Sequence, residues 1–558
     1  MLALTLALLS CLLAVAPVRP EHHPVRQEHK DPELVAFDEW RAEYLRGRIE
    51  LEGPRSAGEL RRVARLCESL SRRADREGVT RLADLLELSL REDPGAEGGA
   101  GPSHPWQVVA EAERALGLVT ARSAIQHLVD ELDKQVAQAT AREYQPSARD
   151  QGRIVSRVRA TGLMRSAVHW PLVARFLTSN VPDIRRAAAE TLGRLAAVAA
   201  VPALTTALAA EKIDNPRIAQ VDALRSLLQG RADADPRLFR AAIGAVCSGL
   251  GRGSWRSELA LVQFLRQVRS ADAIPPLLDA LERALGKRTD QSATSGSLVG
   301  AIHEALLDLT GFYAPADKPA AWREWWRTVR DGFTLPPSKQ ERELTADAKV
   351  PKGQRTVTSF FGIPVSGSRV VFVLDVSRSM SFPFGTGTEQ SRSSRLDEAR
   401  RELLLAVKGL PPATRFNLIL FSTDQRSWKP DLVPATEAMK SEFQGFVERI
   451  QPEAGTNLFA GLDHALGIKS AQPGDRYATN VDEVILLSDG APSVGAVVRT
   501  DEILRLITET NRYARVTIHT VFIGPKVPVG QDLAQGTLTP YELMEQLARQ
   551  NGGRFAPR

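Results

Sequence analysis

Cysteine is scarce in this chain: among 558 residues there are three, Cys11, Cys67 and Cys247, and no C-x-x-C pair. That spacing excludes a disulfide framework and a zinc knuckle, and leaves Cys67 and Cys247, each inside a helical pattern, as buried single thiols. Net charge is equally sparing. A formal +5, left over from 72 Lys and Arg against 67 Asp and Glu, gives no basic footprint for nucleic acid. The apolar run at residues 2–16 is too short for a comfortable membrane span, and nothing in the bulk composition suggests a multi-span membrane protein. Catalytic signatures are missing as well. His303-Glu304 lacks the second histidine of H-E-x-x-H, and residues 490–495 space their serine wrongly for a G-x-S-x-G elbow. His464 and His519 fall inside a helix pattern and a strand pattern, and both read as structural.

What remains is an ordinary soluble composition, 43% hydrophobic and 25% charged, long enough for roughly three to four domains. Residues 1–20 read as a signal peptide or an N-terminal anchor, so the expected location is outside the cytoplasm: periplasmic, cell-envelope or extracellular. Leu8-Leu9-Ser10-Cys11 also resembles a lipoprotein cleavage box. Cleavage, lipidation and retention of this segment stay open, and it is the expected route of any membrane attachment.

After a His- and Pro-containing tether, helical patterns fill residues 33–92. Leu60, Val63, Leu66 and Leu70, then Leu82, Leu85, Leu86 and Leu90, recur at three- and four-residue spacing with Arg and Glu outward. Residues 93–104, rich in Gly and Pro, read as a linker. From 105 to 333 helix follows helix, and the chain partly repeats itself. Leu192, Leu195, Val201, Leu204 and Leu208 match Leu265, Val268, Ile274, Leu277 and Leu281 at an offset of 73 residues. Two helix pairs of roughly 35 to 40 residues each account for such an offset. The stretch resembles HEAT-type repeats, which implies an α-solenoid; an irregular helical bundle is the alternative. Trp322, Trp325 and Trp326 share one helix face and read as core that closes the last repeat. Residues 334–367, polar and Pro-interrupted in their first part, read as an interdomain linker.

The remaining chain alternates strand and helix. Strands are expected at 370–374, 416–421, 484–487 and 516–523, with helices at 396–407, 436–450, 458–468, 501–513 and 541–550. That alternation predicts a parallel sheet wrapped by helices, an α/β doubly wound, Rossmann-like fold. The apolar run 370–374 ends abruptly in Asp375, Ser377 and Ser379, three short oxygen-bearing side chains at alternate positions. Ligands in such folds bind beyond the carboxyl ends of strands. Gly455-Thr456-Asn457 opens the helix at 458, and Ser488-Asp489-Gly490 follows the run 484–487, so both loops can reach the same sheet edge.

These loops make residues 368–558 resemble a von Willebrand factor type A domain with its metal-ion-dependent adhesion site. Asp375, Ser377 and Ser379 fit the family's D-x-S-x-S loop, Thr456 its threonine loop and Asp489 its aspartate loop. Arg378 stands where many relatives have Gly, beside the expected metal. The resemblance implies that Ser377, Ser379 and Thr456 are direct ligands and that Asp375 and Asp489 act mainly through water. Oxygen ligands of this kind suit Mg²⁺, with Mn²⁺ and Ca²⁺ as alternatives, and keep an exchangeable position. The expected function is therefore non-enzymatic: a protein partner supplies a carboxylate to the metal, in adhesion or recognition. The alternative is a cytoplasmic accessory subunit presenting this domain to a partner ATPase.

Overall fold

The computed structural model describes residues 31–49, 51, 56–73, 75–90, 105–141, 143–165, 167–229, 235–286, 296–337, 358–384, 393–467, 479, 481–524 and 536–558. The expected export segment at 1–20, the linker at 93–104 and most of the first part of the 334–367 segment lie outside these residues.

Among the described residues fifteen α-helices come first: α1 (Pro32–Leu45), α2 (Ser56–Arg73), α3 (Arg76–Leu85), α4 (Pro105–Leu116), α5 (Arg122–Ala139), α6 (Ala148–Leu163), α7 (Trp170–Arg175), α8 (Pro182–Arg194), α9 (Val201–Ala210), α10 (Asp214–Leu228), α11 (Pro236–Gly249), α12 (Trp255–Val268), α13 (Ile274–Gly286), α14 (Gly296–Thr310) and α15 (Pro319–Val329). Proline stands in the first turn of α1, α8, α9, α11 and α15, where its missing N–H has no intrahelical partner to lose. From α6 onward the helices alternate between two layers. Helices α6, α8, α10, α12 and α14 pack side by side in one, and α9, α11, α13 and α15 follow in the other. One apolar core runs the length of this stack, from Leu132 to Trp322.

The repeated sequence marks equivalent turns in the stack. Leu192 and Leu195 at the end of α8 lead through a 3₁₀ turn, Val198–Ala200, into Val201, Leu204 and Leu208 of α9. Their counterparts Leu265 and Val268 of α12 lead through Ala271–Ala273 into Ile274, Leu277 and Leu281 of α13. All ten residues are buried. At the end of the stack Trp322 is fully buried, Trp325 stacks on Phe312 with centroids 4.6 Å apart, and Trp326 meets the edge of Phe333 at 5.2 Å.

The second part of the chain contains β1 (Ser359–Phe360), β2 (Ile363–Pro364), β3 (Arg369–Asp375), α16 (Arg395–Lys408), β4 (Arg415–Phe421), β5 (Gln425–Ser427), β6 (Val433–Pro434), α17 (Glu437–Val447), α18 (Leu458–Leu466), β7 (Glu483–Ser488), α19 (Thr500–Ala514), β8 (Thr517–Phe522), α20 (Pro540–Gln550) and β9 (Gly552–Pro557). The main sheet has the order β5-β4-β3-β7-β8-β9, with β6 also on β4. Strands β4, β3, β7, β8 and β9 run parallel. The expected parallel sheet is present, and the short strands β5 and β6 add to it by pairing antiparallel with β4, so the sheet is mixed. These strands are three and two residues long and carry Gln425, Arg426 and Ser427, with no apolar run to announce them.

Strand β3 is covered on both faces, which is why its sequence is apolar without alternation. Val370, Phe372 and Leu374 face α16 and α17, whereas Val371 and Val373 face α18, α19 and α20. Each such side chain contributes about 1.5–3 kcal/mol by leaving water. Within the segment read as a linker, β1 and β2 form an antiparallel hairpin that buries Phe360, Phe361 and Ile363 in the same core.

The two parts meet along the layer of even-numbered arm helices. At the end of α19, Tyr513 donates to Glu190 of α8 and Arg186 lies 5.5 Å over its ring. Arg256 of α12 donates to the Ala514 carbonyl at 3.0 Å. Near the start of α14, Ser297 Oγ donates to the Asp482 carbonyl at 3.2 Å, and Gly296 N–H donates to Ser368 Oγ at 3.0 Å. Ser368 and Asp482 immediately precede β3 and β7, so the arm grips the amino ends of the central strands. The carboxyl ends face the other way.

Candidate metal centre

Strand β3 is the first strand of the main sheet; the chain crosses from it to β4 on one side and later returns to add β7 on its other side. Its carboxyl end beside β7 is therefore the topological switch point, where the loops after the two strands diverge and leave room for a ligand. Asp375 ends β3, and Asp489 follows Ser488 at the end of β7.

Both carboxylates are buried and fully engaged. Asp375 Oδ1 accepts from Ser377 N–H at 2.8 Å, and Oδ2 accepts from Ser488 Oγ at 2.6 Å. Ser377 Oγ and Ser379 Oγ lie 3.0 Å apart, and Ser379 Oγ donates to Asp489 Oδ1 at 2.7 Å. The other oxygen of Asp489, Oδ2, accepts from Arg395 Nη1 at 2.6 Å. A single hydrogen-bonded chain thus runs from Ser377 through Ser379 and Asp489 to Arg395. A 3₁₀ turn, Arg378–Ser381, sets the two serines on the same side, while Arg378 stays exposed.

Thr456 is brought in by another route. Glu453 N–H donates to the Val376 carbonyl at 2.6 Å, docking the 451–457 loop against the loop after β3. Thr456 N–H donates to Ser493 Oγ at 3.0 Å, and Ser493 N–H returns a bond to the Thr456 carbonyl at 2.9 Å. The threonine loop is therefore tied to the loop after β7 as well. Among the described residues no hydrogen bond joins the Thr456 hydroxyl to Asp375, Ser377, Ser379 or Asp489; the residue is 7% exposed.

The electrostatics follow from burial. Desolvation pushes Asp375 up to about 7, the Asp489 charge adds to this, and the bonds from Ser377 and Ser488 oppose it. Desolvation raises Asp489 too, although Ser379 and Arg395 both favour its charged form. The centre holds two carboxylates that lack sufficient positive charge.

Three participants had no separate signal in the sequence. Ser488 lies inside the Ser-Asp-Gly loop but holds the carboxylate of another strand, and Ser493 meets Thr456 through its Oγ and its own backbone N–H. Arg395 opens α16 from a Ser- and Arg-rich stretch. Its position is fixed by a capping box in which Ser394 Oγ accepts from Asp397 N–H at 3.1 Å and Asp397 answers the Ser394 N–H.

The other candidate side chains serve the framework. His303 Nε2 is 2.8 Å from the Ala314 carbonyl, His464 Nε2 is 2.6 Å from Ser427 Oγ, and His519 Nδ1 accepts from Arg554 N–H at 2.9 Å. Cys67 is buried and Cys247 half-buried, and both are free thiols. Among the described residues no group of three or more His, Cys, Asp and Glu has metal-binding geometry. Nor is any described helix long and apolar enough to cross a membrane.

Residues 368–555 match the von Willebrand factor type A domain family. The inter-alpha-trypsin inhibitor heavy chain H4 of Homo sapiens is 31% identical over 194 residues, 34% of this chain and 18% of that one. Heavy chain H3 of Mus musculus is likewise 31% identical over 194 residues, covering 34% of this chain and 19% of its own. The chain thus spans less than a fifth of these curated relatives. Among solved structures, a von Willebrand factor type A protein from Catenulispora acidiphila aligns with 34% of this chain and 38% of its own, at 17% identity and a TM-score of 0.25. Residues 368–555 of this chain form a von Willebrand factor type A domain, preceded by a helical N-terminal region.

Proposed function

We propose that the type A domain holds a divalent cation through Asp375, Ser377, Ser379, Thr456 and Asp489, and through it recognises an acidic group of a protein partner. The observation that carries this reading is the chain of buried oxygens at the switch point, in which two carboxylates share an apolar surrounding without enough counter-charge. The donor set fits the metal. All five side chains offer oxygen, which suits Mg²⁺, Mn²⁺ or Ca²⁺ better than thiophilic metals, and three of the five are neutral. The bound ion retains positive charge, and a partner's carboxylate completes its shell.

Recognition fits better than turnover. Asp375 is positioned by Ser377 and Ser488, and Asp489 by Ser379 and Arg395, and in this reading both carboxylates serve the cation. The helical stack of residues 105–333, read as a HEAT-like solenoid, serves as a scaffold that grips the amino ends of β3 and β7 and leaves the metal edge open. The apolar run at residues 2–16 supports export of the chain.

The test is binding of an acidic peptide to the full chain with Mg²⁺, with chelator, and with the Asp375→Ala variant in Mg²⁺. Binding is expected only in the first case. Equal binding in all three overturns the metal-dependent reading.

A further inference from the structure

Arg395 is placed against the ordinary preferences of a helix. It is the first residue of α16, and a cation there opposes the helix dipole, which favours negative charge at the amino end. Asp397 and Glu398 in the same turn already supply that charge. Arg395 is nonetheless drawn inward. Its side chain is 15% exposed, its guanidinium lies 5.5 Å over the Phe382 ring, and Nη1 sits 2.6 Å from Asp489 Oδ2. The Asp489 side chain is fully buried, so water screens this pair little.

We propose that Arg395 sets the charge of the metal centre, keeping its intrinsic affinity for a divalent cation low and coupling cation binding to the arrival of a carboxylate. This rests on the reading given under Proposed function. Asp375 and Asp489 together offer two negative charges, and Arg395 cancels one. A divalent ion held by the remaining charge keeps a net positive charge, which a partner's carboxylate neutralises. Without Arg395 the two aspartates alone would neutralise the ion, and the carboxylate would add little. By linkage, whatever the carboxylate adds to metal affinity the metal adds to carboxylate affinity.

The experiment titrates Mg²⁺ alone into the full chain by calorimetry, then repeats the titration in acetate as the simplest carboxylate. The variants are Arg395→Gln, Arg395→Met, which keeps the aliphatic stem on Phe382, and Arg395→Lys, which keeps the charge. Circular dichroism identifies any variant that fails to fold, and Gln and Met serve as alternates for each other. Removing the charge is expected to tighten Mg²⁺ binding roughly tenfold, the usual size of one nearby buried charge, and to reduce the gain from acetate. Arg395→Lys is expected to behave as wild type. Unchanged or weaker Mg²⁺ binding in folded Gln or Met variants overturns the proposal and leaves the metal site standing. Equal acetate gain in wild type and variants also overturns it. If the wild-type chain binds no Mg²⁺ in either buffer, the metal site itself falls, and the role of Arg395 with it.

Discussion

Arg515 Nη2 donates to Asp222 Oδ2 at 2.6 Å across the junction between the helical stack and the sheet, and both side chains are nearly buried, at 9% and 6% exposure. Arg512 and Arg225 approach the same carboxylate at 3.5 and 3.2 Å. Burial works against the charged form of Asp222, but Arg515, Arg225 and Arg512 outweigh it and hold the group down at about 2. Arg515 is the C-cap of α19 and takes a left-handed backbone there, φ 53°. Asp222→Ala strands buried guanidinium groups and is expected to cost about 3–5 kcal/mol in chemical denaturation. A loss below 1 kcal/mol would show that the pair does not hold the two parts together.

The sign of the acid response follows from the same group. A carboxylate whose folded pKa lies below its unfolded value contributes stability above the unfolded pKa and loses it as pH falls. For Asp222 the loss runs from about 3.8 down to about 2. Glu190, also at the junction, behaves alike: burial opposes its charge, Arg186 and Arg512 override this, and it sits at about 2 against an ordinary 4.5. Denaturation midpoints are expected to drop steeply between pH 4 and 2, and to drop less in Asp222→Asn.

A second pH effect runs through His519 and Glu483 on adjacent strands, whose Nε2 and Oε1 are 3.8 Å apart. Burial, then Arg554, push His519 down to about 4, with Glu304 opposing. Its contribution is present above pH 6.5 and is lost as pH falls to about 4, on the order of 3 kcal/mol in all. Burial, then Asp482, push Glu483 up to about 7, against bonds from the Gly367 and Ser366 backbone. The folded state therefore holds a proton on Glu483 that the unfolded chain releases near 4.5, and stability falls as pH rises from 4.5 to 7. The two effects oppose each other, which flattens the wild-type profile. In His519→Asn, which keeps an acceptor for Arg554 N–H, a decline from pH 4.5 to 7 is expected. An unchanged profile would remove His519 from the account.

The strands bearing the centre were legible because each is an apolar run buried on two faces and cut off by oxygen-bearing residues. Asp375, Ser377, Ser379 and Asp489 stand at such cut-offs, and Thr456 stands just before α18. What escaped the sequence has local and long-range causes. The β1–β2 hairpin turns through Phe361 and Gly362, both at positive φ, with no Asn-Gly to announce it. Strand β9 contains Gly552, Gly553 and Pro557 and has no apolar run. Glu190 and Asp222 lie in helix patterns, where charges normally mark the solvated face, yet they are buried by partners more than 290 residues away, Tyr513 and Arg515. Arg395 is invisible for the same reason: its partner, Asp489, lies 94 residues further on.

Ser488 supports the centre without being one of its expected ligands. It is fully buried, and its hydroxyl is the donor to Asp375 Oδ2. Ser488→Ala leaves that oxygen unpaired in an apolar surrounding, at a cost of about 1–3 kcal/mol. Ser377→Ala is expected to cost less than 1 kcal/mol, since a loop hydroxyl holds no core together, but to weaken Mg²⁺ binding more. Thermal denaturation and metal titration of the two variants separate support from ligation, and the reverse ranking would mean that the roles are exchanged.

The backbone before Thr456 provides the sharpest test of how that loop is placed. Gly455 has φ 80°, and a Cβ added there would lie 2.5 Å from Thr423 Oγ1 and 3.0 Å from Val494 Cγ2. Thr423 cannot easily withdraw, because its N–H and hydroxyl both donate to the Ala454 carbonyl, at 2.9 and 2.7 Å. Gly455→Ala must therefore shift the loop and Thr456 with it. A stability loss of about 2 kcal/mol or more is expected from the strained φ and the clash together. Mg²⁺ affinity is expected to fall roughly tenfold, as when the supports of a metal ligand are disturbed. Gly467→Ala is the control: its φ is 67°, but a Cβ there meets nothing within 4 Å. It carries the backbone penalty without the displacement, so it should lower the melting temperature and leave the Mg²⁺ titration unchanged. Equal Mg²⁺ affinities in the two glycine variants would mean that the position of Thr456 does not control the site.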